Sequence, residues 1–136
     1  MEMRRIHLYL FLLTLLYILA SCGGGGGTVS KQPAPPAPTN FNATRKWVKS
    51  DNNLSQKVGL SWDAVAGAKS YKIYRQTEEQ SSPSFLAEVS STSYTDNLTS
   101  DLFALDIDYF VSAVVNNVEG EKAKASTSAP PPPSPF

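Results

Sequence analysis

The chain of 136 residues predicts an all-β fold, an antiparallel β-sandwich of about seven strands. From residue 41 onward, short runs alternate apolar and polar side chains, which is the period of half-buried strands. Turn-forming residues separate these runs at regular intervals. After the N-terminal segment no stretch keeps a helical period, so two packed antiparallel sheets are the favoured architecture.

Three runs carry the clearest alternation: "KVGLSW", "SYKIYR" and "IDYFVSAVV". Successive side chains of a strand point to opposite faces of the sheet, so the apolar members of each run share one face. The side chains predicted to face the core are Val58, Leu60, Trp62, Tyr71, Ile73, Tyr109, Val111, Ala113 and Val115. On the second and third of these runs, Tyr74 and Phe110 then point away from the core.

The remaining elements are weaker. "FLAEVS", "TSYTD" and "EKAKAST" are predicted strands, and residues 63–68 and 116–120 are predicted turns. The stretch "RKWVKSDNNLSQ", residues 45–56, is long for a link between the first two strands. We interpret it as an extension of that hairpin.

The segments "PTNF", "LSWDAVAGAKSYKIYR", "SYTD" and "YFVSAVVNNVEGE" together resemble a fibronectin type III domain over residues 39–128. In that family a proline opens the first strand and a tryptophan in the second strand anchors the core, which matches Pro38 and Trp62. The resemblance implies the immunoglobulin-like sandwich. It implies little about activity, because such domains serve as spacers, adhesive modules and protein-binding units.

The N-terminus has the layout of a secretory signal peptide: Arg4 and Arg5 precede an apolar run over residues 8–20. That run is shorter than the roughly 20 residues of a spanning helix. The four residues "LASC" at its end resemble the lipobox of bacterial lipoproteins, a family in which the cysteine sulfur carries a diacylglycerol. This resemblance implies a signal peptide over 1–21 and lipidation of Cys22; the alternative is a short membrane anchor with an incidental cysteine.

The residues after Cys22 predict a tether over 22–38. Five glycines are followed by "QPAPPAP", which favours extended polyproline II structure. The glycines lack the Lys-Ser/Thr of a phosphate-binding loop. Gly23 stands where aspartate often retains lipoproteins in the inner membrane, so we expect a lipid-anchored protein of the bacterial cell envelope, in the outer rather than the inner membrane.

Composition excludes several functions. The charge is balanced, with 12 basic and 12 acidic residues, and nucleic-acid binding needs a basic face. His7, in the leader, is the only histidine and Cys22 the only cysteine. Zinc sites of the His/Cys type and histidine-dependent nucleophilic catalysis therefore lack their residues. We predict no enzymatic activity, no cofactor and no metal site; Asp101, Asp106 and Asp108 are interpreted as a solvated strand entrance rather than a calcium loop.

Candidate binding residues are aromatic. Tyr74 and Phe110 form either a patch for a protein or a sugar, or a cross-strand pair that covers the sheet. Trp47 either anchors a partner or folds back over the end of the sandwich. The tail "APPPPSPF", residues 129–136, is predicted to be disordered, the alternative being a ligand for an aromatic groove.

Together these observations predict a membrane-tethered, non-catalytic module that binds another envelope or extracellular protein. Two other functions compatible with the sequence are a glycan-binding accessory that uses exposed aromatics and a structural spacer without a ligand.

Overall fold

A computed structural model describes residues 32–51 and 53–134, and the predictions for residues 1–31, including Cys22, lie outside this range. Over the described residues the chain is an antiparallel β-sandwich with seven strands in two sheets, which confirms the predicted fold class. The strands are β1 Asn42–Ser50, β2 Asn53–Ser61, β3 Ser70–Thr77, β4 Ser84–Val89, β5 Ser93–Leu98, β6 Ile107–Val115 and β7 Val118–Thr127. A short 3-10 helix, Ser100–Leu102, precedes β6.

The core lies between a three-stranded sheet, β1-β2-β5, and a four-stranded sheet, β4-β3-β6-β7. Trp62 is only 5 % exposed, and its ring meets Phe41 and Tyr71 edge-on at centroid distances of 6.1 and 5.4 Å. The predicted inward residues are buried, apart from half-buried Val115. The alternation of apolar and polar side chains therefore predicted the inner faces of the two sheets correctly.

The first hairpin is extended, as the length of residues 45–56 predicts. β1 and β2 stay paired from Asn42 and Ser61 out to Ser50 and Asn53. β5 pairs with β2 only from Gln56 to Ser61. The outer part of the hairpin, residues 47–51 and 53–55, thus projects beyond β5; we call it the projecting hairpin.

The second predicted turn is shorter than expected. Residues 116–120 were predicted to form it, but β7 already begins at Val118. Asn116 and Asn117 both have positive φ, 50° and 64°, as the two central residues of a tight hairpin turn require, and asparagine tolerates that region. Two asparagines therefore suffice to reverse the chain.

The last residues of the predicted tether lie against the sandwich. Pro35 and Pro38 are buried, and the Glu121 amide donates to the Pro35 carbonyl at 2.9 Å. A Cβ on Gly120 would lie 2.8 Å from the Pro35 Cβ, closer than side chains approach. The absence of a side chain at Gly120 is what allows the incoming chain to pack on β7.

Within residues 32–51 and 53–134, no helix has the length and apolar character needed to cross a membrane.

Candidate functional site

Three aromatic side chains form one row across the outer face of the four-stranded sheet. Tyr74 on β3 is the register partner of Phe85 on β4 and of Phe110 on β6, and Phe110 is the partner of Lys124 on β7. We call Phe85, Tyr74, Phe110 and Lys124 the aromatic row. The structure thus brings the predicted residues Tyr74 and Phe110 together, and adds Phe85.

Phe85 was missed because a β-bulge decides its direction. Ile73 pairs with Ala87, whereas the next residue, Tyr74, pairs with Phe85, so β4 has one extra residue at Leu86. A bulge resets the alternation of faces. Without it, simple alternation from Ala87 would turn Phe85 inward; with it, the ring is 59 % exposed. Sequence alternation alone carries no signal for this extra residue.

The inner members of the aromatic row are covered by β7. Lys122 Nζ lies 4.4 Å from the centre of the Tyr74 ring, and Lys124 Nζ lies 5.8 Å from that of Phe110. Such cation–π contacts are weak when exposed but keep both charges solvated while covering the ring. Phe85 meets Tyr74 edge-on at 5.8 Å. Lysines of β7 thus lie over the rings of Tyr74 and Phe110, and the open aromatic surface of the row lies at Phe85.

Glu119 organises the polar half of this face. Its carboxylate accepts hydrogen bonds from the Tyr74 hydroxyl at 2.7 Å, the Ser112 hydroxyl at 2.8 Å and Lys72 Nζ at 3.1 Å. Lys122 Nζ is 3.4 Å away. Ser112 pairs with Lys122 and Val114 with Glu119, so a bulge on β7 places Glu119 on the outer face. Fully buried Ser112 lies beneath it.

These contacts shift two ionisation equilibria. Burial opposes ionisation of Glu119, but the hydrogen bonds from Tyr74, Ser112 and Lys72 outweigh it and lower the pKa of Glu119 to about 2. Burial, together with the bond to Glu119, raises the pKa of Tyr74 to about 12. The Tyr74 hydroxyl therefore stays protonated and committed to Glu119 at neutral pH.

Trp47 lies at the other end of the sandwich, on the inner face of the projecting hairpin. It is the register partner of Gln56, whose side chain is buried together with Val58 on the same face of β2. Its half-buried ring meets Phe103 edge-on at 5.2 Å. The Trp47 ring therefore packs over the end of the sandwich, and its use as an anchor for a partner stays a prediction. We call Trp47, Phe103 and Leu54 the Trp47 platform.

Arg45 holds the loop that carries Phe103. Its guanidinium donates to the carbonyls of Leu102 and Leu105 at 2.7 Å each and to that of Phe103 at 2.9 Å. Its Nε donates to Gln56 Oε1 at 2.6 Å. One planar cation thus joins three carbonyls of this turn, and that of Leu102 also accepts the Leu105 amide at 3.3 Å. A polar anchor inside a strand has no sequence signature, because its partners lie far along the chain.

Buried Asp96 has a structural environment rather than a catalytic one. It accepts the Tyr109 hydroxyl at 2.8 Å and the Arg75 guanidinium at 2.9 Å, linking β5 to β6 and β3. Burial raises the pKa of Tyr109, so the phenol remains a neutral donor.

The three aspartates considered for a calcium loop have other partners. Asp108 accepts from Lys124 and Ser126, which lowers its pKa, and Asp106 accepts from the Ala129 amide. A hydrogen bond from Thr99 lowers the pKa of Asp101. Within the described residues, no group of three or more metal-ligating side chains occurs.

Comparison with known proteins gives the following likenesses. A Fn3-like protein from Clostridium thermocellum is 32 % identical to this chain; the match covers 74 % of this chain and 99 % of that one, with a TM-score of 0.53. The structure of FN3tt mut is 23 % identical, covering 71 % and 97 %, with a TM-score of 0.54.

The glycoside hydrolase domain structure of Endo-D from Streptococcus pneumoniae R6 is 20 % identical, covering 71 % of this chain and 15 % of that one, with a TM-score of 0.54. At their level of identity, this structure and FN3tt mut show a shared fold alone. No protein-family model and no curated protein matches the sequence.

Proposed function

Because the chain belongs to the fibronectin type III-like family, we propose that it is a non-catalytic interaction module of the bacterial cell envelope. A lipid on Cys22 anchors it, in the outer rather than the inner membrane, and the folded domain binds another envelope or extracellular protein. The observation that carries the binding part is the aromatic row, whose outermost ring, Phe85, is 59 % exposed.

Phe85 suits a protein contact for three reasons. It lies on β4, an edge strand of the four-stranded sheet. Its ring is held by the edge-on contact with Tyr74, so little conformational freedom is lost when a partner covers it. Large, rigid aromatic side chains contribute a disproportionate share of binding energy at protein interfaces.

Glycan binding is the second function compatible with an aromatic face. A sugar needs polar partners beside the ring to fix its hydroxyls, and the Tyr74 hydroxyl, the phenol of the row, is bonded to Glu119. This favours a protein partner over a sugar. A glycan array probed with the chain tests the alternative directly, since reproducible binding that depends on Phe85 would replace the protein-binding proposal.

The anchor is tested by Cys22→Ser. Loss of the thiol removes the acceptor for the lipid, and several acyl chains are what make such attachment stable. We expect the variant to lose incorporation of labelled fatty acid and to accumulate as uncleaved precursor, which keeps its apolar leader. Labelled fatty acid on the variant, or cleavage of the variant as in the wild-type chain, would contradict the anchor.

The binding surface is tested by Phe85→Ser in crosslinking from intact cells. We expect the variant to lose the partners that the wild-type chain captures. Thr95→Ser is the control, because Thr95 is an exposed residue of β5 in the other sheet and belongs neither to the aromatic row nor to the projecting hairpin. Capture that survives Phe85→Ser, or no capture by the wild-type chain, would contradict the proposal, the latter result favouring a spacer.

A further inference from the structure

The C-terminal tail lies on the inner face of the projecting hairpin. β7 ends at Thr127, and the Ala129 amide donates to Asp106 Oδ1 at 3.2 Å, which directs the chain toward the hairpin. Two residues further on, the Trp47 indole Nε1 donates to the Pro131 carbonyl at 2.9 Å. Trp47 and Pro131 are 84 positions apart in sequence, so this contact is a product of the fold.

The chemistry of this contact is that of proline-rich recognition. Residues 130–133 are four consecutive prolines, which favour the polyproline II helix and lack amide donors. Such a segment offers outward carbonyls and ring surfaces, and an aromatic groove with a side-chain donor complements both. Trp47 supplies the donor, and Phe103 packs edge-on against the Trp47 ring at a centroid distance of 5.2 Å.

The tail leaves part of the surface open. A groove of about 530 Å³ lies between the projecting hairpin and the tail; the hairpin lines it with Trp47, Leu54, Asn53, Lys49 and Asp51, and the tail with Pro133 and Ser134. Leu54 is 39 % exposed. The described residues of the tail therefore leave part of the platform accessible.

We infer that the Trp47 platform is a recognition site for proline-rich segments in the polyproline II conformation. Residues 130–134 of the tail are its resident ligand, and a proline-rich segment of a partner protein takes the same place by displacing them. The platform and the aromatic row lie on different sheets, so this inference is independent of the binding surface proposed above.

Competition from the tail determines how tightly a free proline-rich peptide should bind. A short flexible connection gives the tail a high local concentration at the platform, in the millimolar range. A free proline-rich peptide should therefore bind the wild-type chain weakly, and bind more tightly once the tail no longer fits. Serine at positions 130–133 removes the ring surfaces and the extended preference while keeping the length of the chain.

The test uses a fluorescent peptide with the tail sequence, APPPPSPF, and fluorescence anisotropy with the full chain in detergent. We expect the chain with Pro130→Ser, Pro131→Ser, Pro132→Ser and Pro133→Ser to bind the peptide at least about tenfold more tightly than the wild-type chain. Adding Trp47→Phe, which keeps an aromatic ring but removes the donor, should abolish that gain. A peptide with alanine in place of its prolines should not bind.

Equal affinity of the serine variant and the wild-type chain, or binding that survives Trp47→Phe in a chain with an unchanged melting temperature, would overturn the inference. Wild-type dimers that disappear in the serine variant would also overturn it, because the occupant would then be the tail of a second copy. The aromatic row is unaffected by these variants, so loss of partner capture through Phe85 remains a separate result.

Discussion

The aromatic row and the Trp47 platform are both aromatic surfaces on a sheet, but they are covered in different ways. The rings of Tyr74 and Phe110 are covered by lysines of β7, the same strand that supplies Glu119. Trp47 is covered by a loop residue and by the chain terminus. The strand that carries the covering lysines can leave only if the sheet opens, whereas the segment that follows β7 can leave while the sandwich stays intact.

The largest expected effect removes the core on which both surfaces rest. Trp62→Ala should destabilise the domain by about 3–5 kcal/mol, because it empties the site of a buried tryptophan. The free energy of unfolding from urea titration measures this loss. Unchanged stability would contradict the placement of Trp62 in the core that supports both surfaces.

A smaller loss of stability should affect the Trp47 platform and leave the aromatic row intact. Arg45→Met leaves the carbonyls of Leu102, Phe103 and Leu105 without their charged donor, and should cost about 2–3 kcal/mol. Hydrogen exchange should rise at the Phe103 and Leu105 amides, which belong to the same turn, and stay unchanged in β7.

Lys46→Met is the matched control, since Lys46 is the exposed neighbour of Arg45 on β1. It should leave both stability and exchange near the wild-type values. Faster exchange throughout β7 in Arg45→Met would show that the platform and the aromatic row are not separable in this way.

The smallest effect concerns acid sensitivity of the aromatic row. The pKa of Glu119 is lowered from 4.5 to about 2 in the folded chain, so its carboxylate stabilises the fold above pH 4.5 and this contribution disappears as the pH falls toward 2. The side chain is 27 % exposed, so solvent screening reduces the effect to about 1 kcal/mol. Glu119→Gln should flatten the fall in melting temperature over this pH window.

Asp108, whose pKa is also lowered, is retained in both chains and gives a common background for that comparison. As the pH falls, the Trp47 platform should behave in the same way in the wild-type and Glu119→Gln chains. Identical acid profiles of the two chains would mean that the bonds to Glu119 contribute nothing to stability.

The sequence was sufficient to predict what depends on local alternation. The inward faces of β2, β3 and β6 follow from Val58, Ile73 and Val111 and their neighbours, since each strand repeats with a period of two. The bulge at Leu86 could not be predicted from the sequence, because an extra residue is defined only relative to the partner strand. The same holds for Arg45 and for the Trp47–Pro131 contact, whose partners meet only after the sheets have packed.

The packing of Pro35 on β7 also gives the domain a direction. The described chain joins the sandwich beside Gly120, near the β6–β7 turn, whereas Trp47 and the tail lie at the opposite pole, where β7 ends. Traction applied through residues before Pro35 would load its bond to the Glu121 amide before it reached the core. A molecule held from that pole would present Trp47 at its far end, away from whatever holds it.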